Sequence, residues 1–139
     1  PRESVKRFRA KVKEHIGRGR GRNLQRFIEE DLNPVLRGWS GYFRASETRG
    51  VFDELDQWVR RRLRNIRWRQ WKRPRTRRKK MMSLGLDEAT ASKSAYNGRG
   101  AWWNSGASHM NRALPKKYFD HLGLVNLQSR VRFLDQTSS

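Results

Sequence analysis

The stretch VFDELDQWVRRRLRNIRWRQW, residues 51–71, decides the fold of this chain. Projected as an α-helix, it has an apolar stripe along one side, because apolar residues recur three or four positions apart. The stripe comprises Val51, Phe52, Leu55, Trp58, Val59, Leu63 and Ile66. We therefore predict a long helix from about Thr48 to Trp71 that packs this stripe against other helices.

The opposite side of the same helix combines tryptophan with arginine. Trp68 and Trp71 project away from the apolar stripe, among most of the arginines of the helix. Between Arg60 and Lys80 the chain has 13 lysines and arginines and no acidic residue. A run of mixed sign would indicate only a solvated surface, whereas a run of one sign is destabilising unless a polyanion relieves it. We predict an exposed basic face whose guanidiniums bind phosphates and whose two indoles stack on unpaired bases.

The composition of the chain points to the same class of partner. With 139 residues the chain has the length of one domain or two small lobes. Its 33 basic and 13 acidic residues give a formal charge of +20, which favours polyanions, since binding releases condensed counterions. The absence of cysteine excludes disulfides and thiolate sites. We expect a small, aromatic-rich core, no membrane span, and an intracellular protein that binds nucleic acid.

The other helices follow from the same apolar spacing. Helices are predicted over residues 4–16, 23–32 and 34–44, with Val35, Leu36, Trp39, Tyr42 and Phe43 buried in the third. Arg37, Ser40, Gly41 and Arg44 fall on its opposite side. The glycines at 38 and 41 indicate a close approach by another helix, or alternatively by a nucleic-acid backbone.

The chain downstream of Pro74 predicts a second, smaller lobe. We expect helices over 87–96, 109–114 and 116–122, a loop-like stretch from Trp102 to Ser108, and fraying after residue 130. Residues 124–127 are expected to pack on this lobe. The fold class is thus all-α: a bundle of about three long helices in residues 1–73, followed by a small helical lobe in residues 74–139.

We find no catalytic or metal-binding constellation. The acidic residues do not converge, Ser105 and His109 lack an orienting acid, and His15, His109 and His121 are widely separated. The glycine–arginine alternation at 17–22 lacks the features of a P-loop. It predicts either a flexible connector or a loop that grips phosphate. We therefore expect binding rather than catalysis.

Two motifs resemble a known family. LNPVLRGWSGYFR at 32–44 and RRLRNIRWRQWKR at 61–73 resemble the maturase-specific region of group II intron-encoded reverse transcriptases. The later segments RALP at 112–115, Tyr118-Phe119 and LGLV at 122–125 are similar to the C-terminal DNA-binding region of bacterial group IIC-like members. Neither the Tyr-Ala-Asp-Asp-type polymerase motif nor an HNH endonuclease with cysteine pairs is present in these residues.

The resemblance implies a fragment of a larger enzyme. Residues 1–73 would be the thumb, or X, domain, and residues 74–139 the DNA-binding domain. The partners implied are intron RNA, a DNA target or RNA–DNA template–primer, and upstream fingers and palm domains that would use Mg²⁺. It further implies RNA splicing, retrohoming and a bacterial cytoplasmic location, with no cofactor in this fragment.

We assign the predicted nucleic-acid interface to basic residues of both lobes and the two tryptophans of the long helix. The rival hypothesis is a non-enzymatic ribonucleoprotein scaffold for structured RNA, and a basic amphipathic membrane binder is a weaker third. The upstream gene sequence distinguishes the first two, since only the polymerase requires a preceding Asp-Asp strand motif. The predicted interface residues are Arg20, Arg22, Arg37, Arg44, Arg60, Arg61, Arg64, Arg67, Trp68, Trp71, Lys72, Arg73, Arg75, Arg77, Arg78, Lys79 and Lys80.

Overall fold

A computed structural model describes residues 2–45 and 49–137, and in those ranges the chain is helical without strands, which confirms the all-α prediction. The predicted start of the long helix at Thr48 lies outside the described residues. A π-helical turn, Ile28–Leu32, joins α2 to α3, and a 3₁₀ turn, Arg49–Val51, precedes α4. The helices are α1 (Arg2–Ile16), α2 (Leu24–Phe27), α3 (Asn33–Arg44), α4 (Phe52–Trp71), α5 (Pro74–Ser83), α6 (Glu88–Ala95), α7 (Ala101–Ser105), α8 (Ser108–Ala113), α9 (Lys116–His121) and α10 (Leu127–Thr137).

The chain forms two compact units whose limits differ from the predicted boundary at 73/74. The first unit comprises the described residues up to Val59 and those from Asp120 onward, and the second comprises Arg60–Phe119. Helix α4 therefore contributes residues to both. The division into a thumb and a DNA-binding domain is a functional prediction, which these packing units do not test.

The end of the chain belongs to the first unit, so the prediction that residues 124–127 pack on the second lobe is wrong. The backbone N–H of Leu127 donates to Asp56 Oδ1 at 2.8 Å, and that of Gln128 donates to Asp56 Oδ2 at 3.1 Å. The Asp56 carboxylate thus satisfies the first turn of α10. Helix α10 then continues to Thr137, and the fraying expected from Arg130 onward stays a prediction.

The first unit is built around aromatic rings. Phe8 is fully buried, and its ring centroid lies 5.8 Å from that of Trp39 and 5.7 Å from that of Phe43. The apolar stripe of α4 contributes Phe52, Leu55 and Val59 to the first unit, all buried. The aromatic core expected from the composition is therefore confirmed.

Helix α3 buries a different stripe from the one predicted. Leu36 and Phe43 are buried as expected, but Ser40 is also buried while Tyr42 is exposed. The Ser40 hydroxyl donates to the Leu36 carbonyl at 2.7 Å, which satisfies its polar atom inside the helix and permits its burial. The buried positions are thus 33, 36, 40 and 43. Of the predicted stripe, Trp39 is half-buried and Tyr42 is exposed.

The second unit surrounds the C-terminal half of α4 with short helices. Helices α5 and α6 pack together, and both contact α8. Its buried apolar residues include Leu63, Ile66, Met81, Met110 and Phe119. Residues 101–105 form α7, so the prediction of a loop-like stretch from Trp102 to Ser108 is wrong over these positions.

Candidate nucleic-acid interface

Trp68 and Trp71 are interior residues of the second unit. Their exposed fractions are 2% and 7%, so the prediction that they are surface indoles available for base stacking is wrong. The Trp68 ring lies 5.6 Å from the His109 ring and 6.5 Å from the Trp71 ring, between centroids. A helical projection assumes one buried side, whereas this half of α4 is enclosed on several sides.

Arg64 is buried as well, with an exposed fraction of 5%. Its Nε donates to the Leu114 carbonyl at 2.8 Å, and its guanidinium carbon lies 5.5 Å from the centroid of the Phe119 ring. Burial, and secondarily the charge of Arg60, lowers the pKa of Arg64 to about 10, so the side chain stays cationic at neutral pH. Arg60 is also buried. Neither side chain is placed to contact an external phosphate.

Other predicted arginines of the second unit hold its helices together. The Arg67 guanidinium donates to the Tyr118 hydroxyl at 2.9 Å, and Arg61 Nη2 donates to the Trp102 carbonyl at 2.8 Å. Arg77 donates to the Trp68 carbonyl at 3.0 Å, and its guanidinium lies 4.5 Å from the Trp68 ring centroid. Burial lowers the pKa of Arg77. Carbonyls and ring faces serve as partners here because Asp87 and Glu88 are the only acidic residues among 60–119.

Four of the predicted interface residues belong to the first unit: Arg20, Arg22, Arg37 and Arg44. Arg22 lies 3.1 Å from Asp31 and 3.3 Å from Glu30, and Arg44 lies 3.1 Å from Asp135. Arg20 and Arg37 are exposed. Phosphate contact by these four arginines stays a prediction.

The glycine–arginine segment at 17–22 is a packed turn rather than a loose connector. A Cβ placed on Gly19 would lie 2.9 Å from the Phe27 ring, so the turn packs directly against the core. The Arg22 guanidinium also lies 5.8 Å from that ring centroid. The glycine therefore serves close packing, and phosphate gripping by the arginines remains a prediction.

The two glycines of α3 are open on their outer side. A Cβ at Gly38 or Gly41 would meet no atom within 4 Å, so the described residues supply no helix that packs closely there. That part of the prediction is wrong. Gly38 instead lines an open groove of about 280 Å³, together with Lys11, Pro34, Val35, Trp39 and Tyr42. Approach of a nucleic-acid backbone remains a prediction.

The cations that follow α4 form a different surface. Five exposed side chains lie within nine residues around α5, and we call them the basic arm: Lys72, Arg73, Arg75, Lys79 and Lys80. The basic run after Pro74 is thus part of a helix that Pro74 begins. Its neighbour Arg78 is half-buried and lies 3.7 Å from the Glu88 carboxylate.

Two features of the basic arm are energetically unfavourable in the free protein: a backbone conformation and a set of charges. Lys72 has a φ of 63°, a left-handed conformation that favours glycine. Arg73 precedes Pro74 at the start of α5, and no acidic residue occurs in the first turn of that helix. Because a helix N-terminus carries a partial positive charge, cations there are disfavoured by about 0.3–1 kcal/mol each. An external anion would offset this repulsion.

The second unit also has exposed aromatic residues that are not among the predicted interface residues. Trp102 and Trp103 are 39% and 45% exposed, and guanidiniums lie over both rings. The signal available was the adjacent tryptophan pair, which follows Gly98-Arg99-Gly100 after a single alanine. Helix α7 has only five residues, which is too short for apolar periodicity to predict a helix there.

Formal charge is concentrated in the second unit. Residues 60–119 contain 18 lysines and arginines and two acidic residues, which amounts to +16 of the total +20.

Among the residues that the structure describes, there is no group of His, Asp or Glu that could hold a metal ion. In the same part of the chain, no helix has the length and apolar character needed to cross a membrane.

Comparison with known proteins places this geometry in a family. A model of the group II intron, maturase-specific domain matches residues 5–85, which extends from α1 past the end of α5 and includes the whole basic arm. No curated protein matches the chain. Because the match covers more than half of its residues, the chain belongs to the group II intron maturase-specific domain family.

Proposed function

We propose that this chain is the nucleic-acid-binding C-terminal part of a group II intron reverse transcriptase/maturase, and that it binds intron RNA for splicing. The observation that carries the proposal is the basic arm, five exposed cations within the segment matched by the maturase-specific family. Phosphate binding needs solvent-accessible cations, and three of the five, Arg75, Lys79 and Lys80, are carried by helix α5.

The arm is arranged to follow a sugar–phosphate backbone. Arg75 and Lys79 are four residues apart in α5, so they lie one above the other on one side of the helix. Like charges at this spacing repel each other in the free protein and lose that repulsion when phosphates bind. The segment contains no carboxylate of its own to compete for these cations.

The proposal includes the finer roles that the resemblance implies. Residues 1–73 act as the thumb domain and residues 74–139 as the DNA-binding domain. The chain then also binds the RNA–DNA template–primer and the DNA target during retrohoming. Fingers and palm domains with Mg²⁺ precede it in the bacterial cytoplasmic enzyme, which carries the polymerase active site. The family match supports these roles over those of a ribonucleoprotein scaffold.

Crosslinking tests the proposal. The full-length protein is irradiated with unspliced and spliced forms of the intron that encodes it, and the crosslinked peptides are mapped. We expect crosslinks in residues 72–80 with the unspliced RNA, and weaker crosslinks with an unrelated structured RNA of equal length. Equal crosslinking to both RNAs would favour the scaffold hypothesis. A complete lack of crosslinks to the intron would contradict the proposed function.

A further inference from the structure

Helix α7 presents Trp102 and Trp103, and the turn that precedes it is held by a rigid support. Asn104 in α7 is fully buried and acts as the hub of this support. Its Nδ2 donates to the carbonyls of Arg99 at 3.0 Å and Gly100 at 2.9 Å. Its Oδ1 accepts from Asn97 Nδ2 at 2.7 Å and lies 2.8 Å from His109 Nε2. The backbone that carries Arg99 is therefore fixed before any ligand arrives.

Guanidiniums are already placed on both tryptophan rings. The guanidinium carbon of Arg99 lies 4.6 Å from the Trp103 ring centroid. Those of Arg61 and Arg62 lie 3.8 Å and 4.4 Å from the Trp102 ring centroid. Such contacts hold the indoles in defined orientations and keep positive charge beside them.

The position of Arg61 is set by the protein itself. Its Nη2 donates to the Trp102 carbonyl at 2.8 Å, and its Nε donates to Ser105 Oγ at 3.3 Å. A Cβ on Gly106 would lie 2.7 Å from the guanidinium carbon, so Gly106 makes room for this side chain. Burial, and secondarily the charge of Arg61, lowers the pKa of Arg62. Two cations are thus held together at one indole, where an anion would relieve their repulsion.

We propose that Trp102 and Trp103, with Arg61, Arg62 and Arg99, form a binding site for unpaired nucleobases of a single-stranded nucleic acid. The exposed Trp103 indole supplies the stacking surface, Trp102 holds the Arg61 and Arg62 guanidiniums beside it, and the guanidiniums contact the phosphates on either side of the stacked base. Bases of a duplex are already stacked on each other, so the site selects unpaired strands. The charge of +16 in this unit favours a polyanion over an apolar protein segment as the occupant.

This inference rests on the proposed function, because it specifies which part of a nucleic acid the second unit contacts. The test uses fluorescence anisotropy with three labelled probes: an unstructured RNA of about 12 nucleotides, the DNA strand of the same sequence, and the corresponding blunt duplex. The chain is compared with Trp103→Leu, which removes the aromatic ring but keeps an apolar side chain, and with Trp103→Phe, which keeps a ring.

Phe133 provides a matched control. It is an exposed aromatic residue, 51% accessible, with the Arg130 guanidinium 5.4 Å from its ring centroid, but it lies in the first unit. We expect Trp103→Leu to weaken single-strand binding about tenfold, Trp103→Phe to change it less than about threefold, and Phe133→Leu to leave it unchanged. Duplex binding should be the same for all four proteins. The RNA and DNA arms show which strand the site prefers.

Several outcomes would overturn the inference. If Trp103→Leu binds the single strands as tightly as the unsubstituted chain, or if it loses single-strand and duplex binding equally, Trp103 is not a stacking residue. Circular dichroism checks that the variant remains helical. Should Trp103→Leu unfold, the exposed Arg99→Gln variant replaces it, with an expected loss of about threefold on single strands alone. Failure of the unsubstituted chain to bind any nucleic acid would contradict the proposed function as well.

Discussion

Arginine has two distinct uses at the scale of single residues in this protein. Arg64 and Arg77 are interior side chains whose partners are backbone carbonyls and aromatic rings. Arg75 is exposed, and we propose that its guanidinium contacts phosphate. The sequence shows one continuous basic run, and charge alone does not separate the two uses. The long aliphatic stem of arginine allows the first, because it packs like an apolar side chain.

We predict that Arg64→Ala destabilises the protein without removing a phosphate contact. The substitution leaves the Leu114 carbonyl without its donor and creates a cavity beside Phe119, so the free energy of unfolding should fall by about 2–4 kcal/mol. Lys79→Ala, at an exposed position, should change it by less than about 0.5 kcal/mol. Urea unfolding followed by circular dichroism measures both. Equal stability of the two variants would contradict the interior role of Arg64.

His109 should make the second unit sensitive to acid. Burial lowers the pKa of His109 below its ordinary value of 6.5, so the unfolded chain binds a proton that the folded chain does not. Stability is then complete above about pH 6.5 and declines as the pH falls below that value. We expect the melting temperature of the unsubstituted chain to fall more between pH 7 and about pH 5.5 than that of His109→Gln, which can still donate to Asn104 Oδ1. Parallel melting curves for the two proteins would show that His109 does not titrate in this way.

At the scale of helices, the sequence predicts where a helix forms better than it predicts which other helices enclose it. Most of the predicted apolar stripe of α4 is buried, with Val51 and Trp58 half-buried. Helix α6 begins after Asp87, whose side chain accepts from the Thr90 N–H at 3.0 Å, close to the predicted start. Trp68 and Trp71 were assigned to the wrong environment because the periodicity of one helix does not reveal how many neighbours enclose it. Those neighbours, α5 and α8, are short, so their packing depends on tertiary contacts that the local sequence does not show.

The junction between α4 and α5 offers a test of backbone strain. Lys72 has a φ of 63°, which costs a lysine about 1–2 kcal/mol and a glycine little. Lys72→Gly should therefore raise the free energy of unfolding by about 0.5–1 kcal/mol while weakening RNA binding through the loss of one cation. Lys79→Gly is the matched control, because in the interior of α5 it should lower that free energy by about 1 kcal/mol. Destabilisation of both variants in chemical denaturation would argue against strain at Lys72.

For the whole molecule, the sequence predicted the all-α class and the family correctly, but it did not predict which segments pack together. The hydrogen bond between Asp56 and the start of α10 joins residues that are 71 positions apart, and no local sequence pattern predicts such a contact. The total charge was evident from composition. The part of that charge which is accessible to a polyanion was not evident, because interior and ion-paired arginines add as much to the formal charge as exposed ones.

The salt dependence of RNA binding tests the central claim, that the basic arm rather than the arginine face of α4 contacts phosphate. Arg75, Lys79 and Lys80 are changed together to Gln. The control is Lys11, Arg18 and Arg26 changed to Gln, three exposed cations that each lie within 4.0 Å of a carboxylate of the first unit. The slope of the logarithm of the association constant against the logarithm of salt concentration is measured for each protein with intron RNA.

We predict that the arm variant lowers the magnitude of the slope by about 2, since each lost phosphate contact removes about 0.7–0.9, and that the control variant changes it by less than half as much. Arg64→Ala should leave the slope unchanged in conditions where the protein is folded. An unchanged slope in the arm variant would contradict the account. So would a decrease in the slope for Arg64→Ala that equals, per cation removed, the decrease for the arm variant.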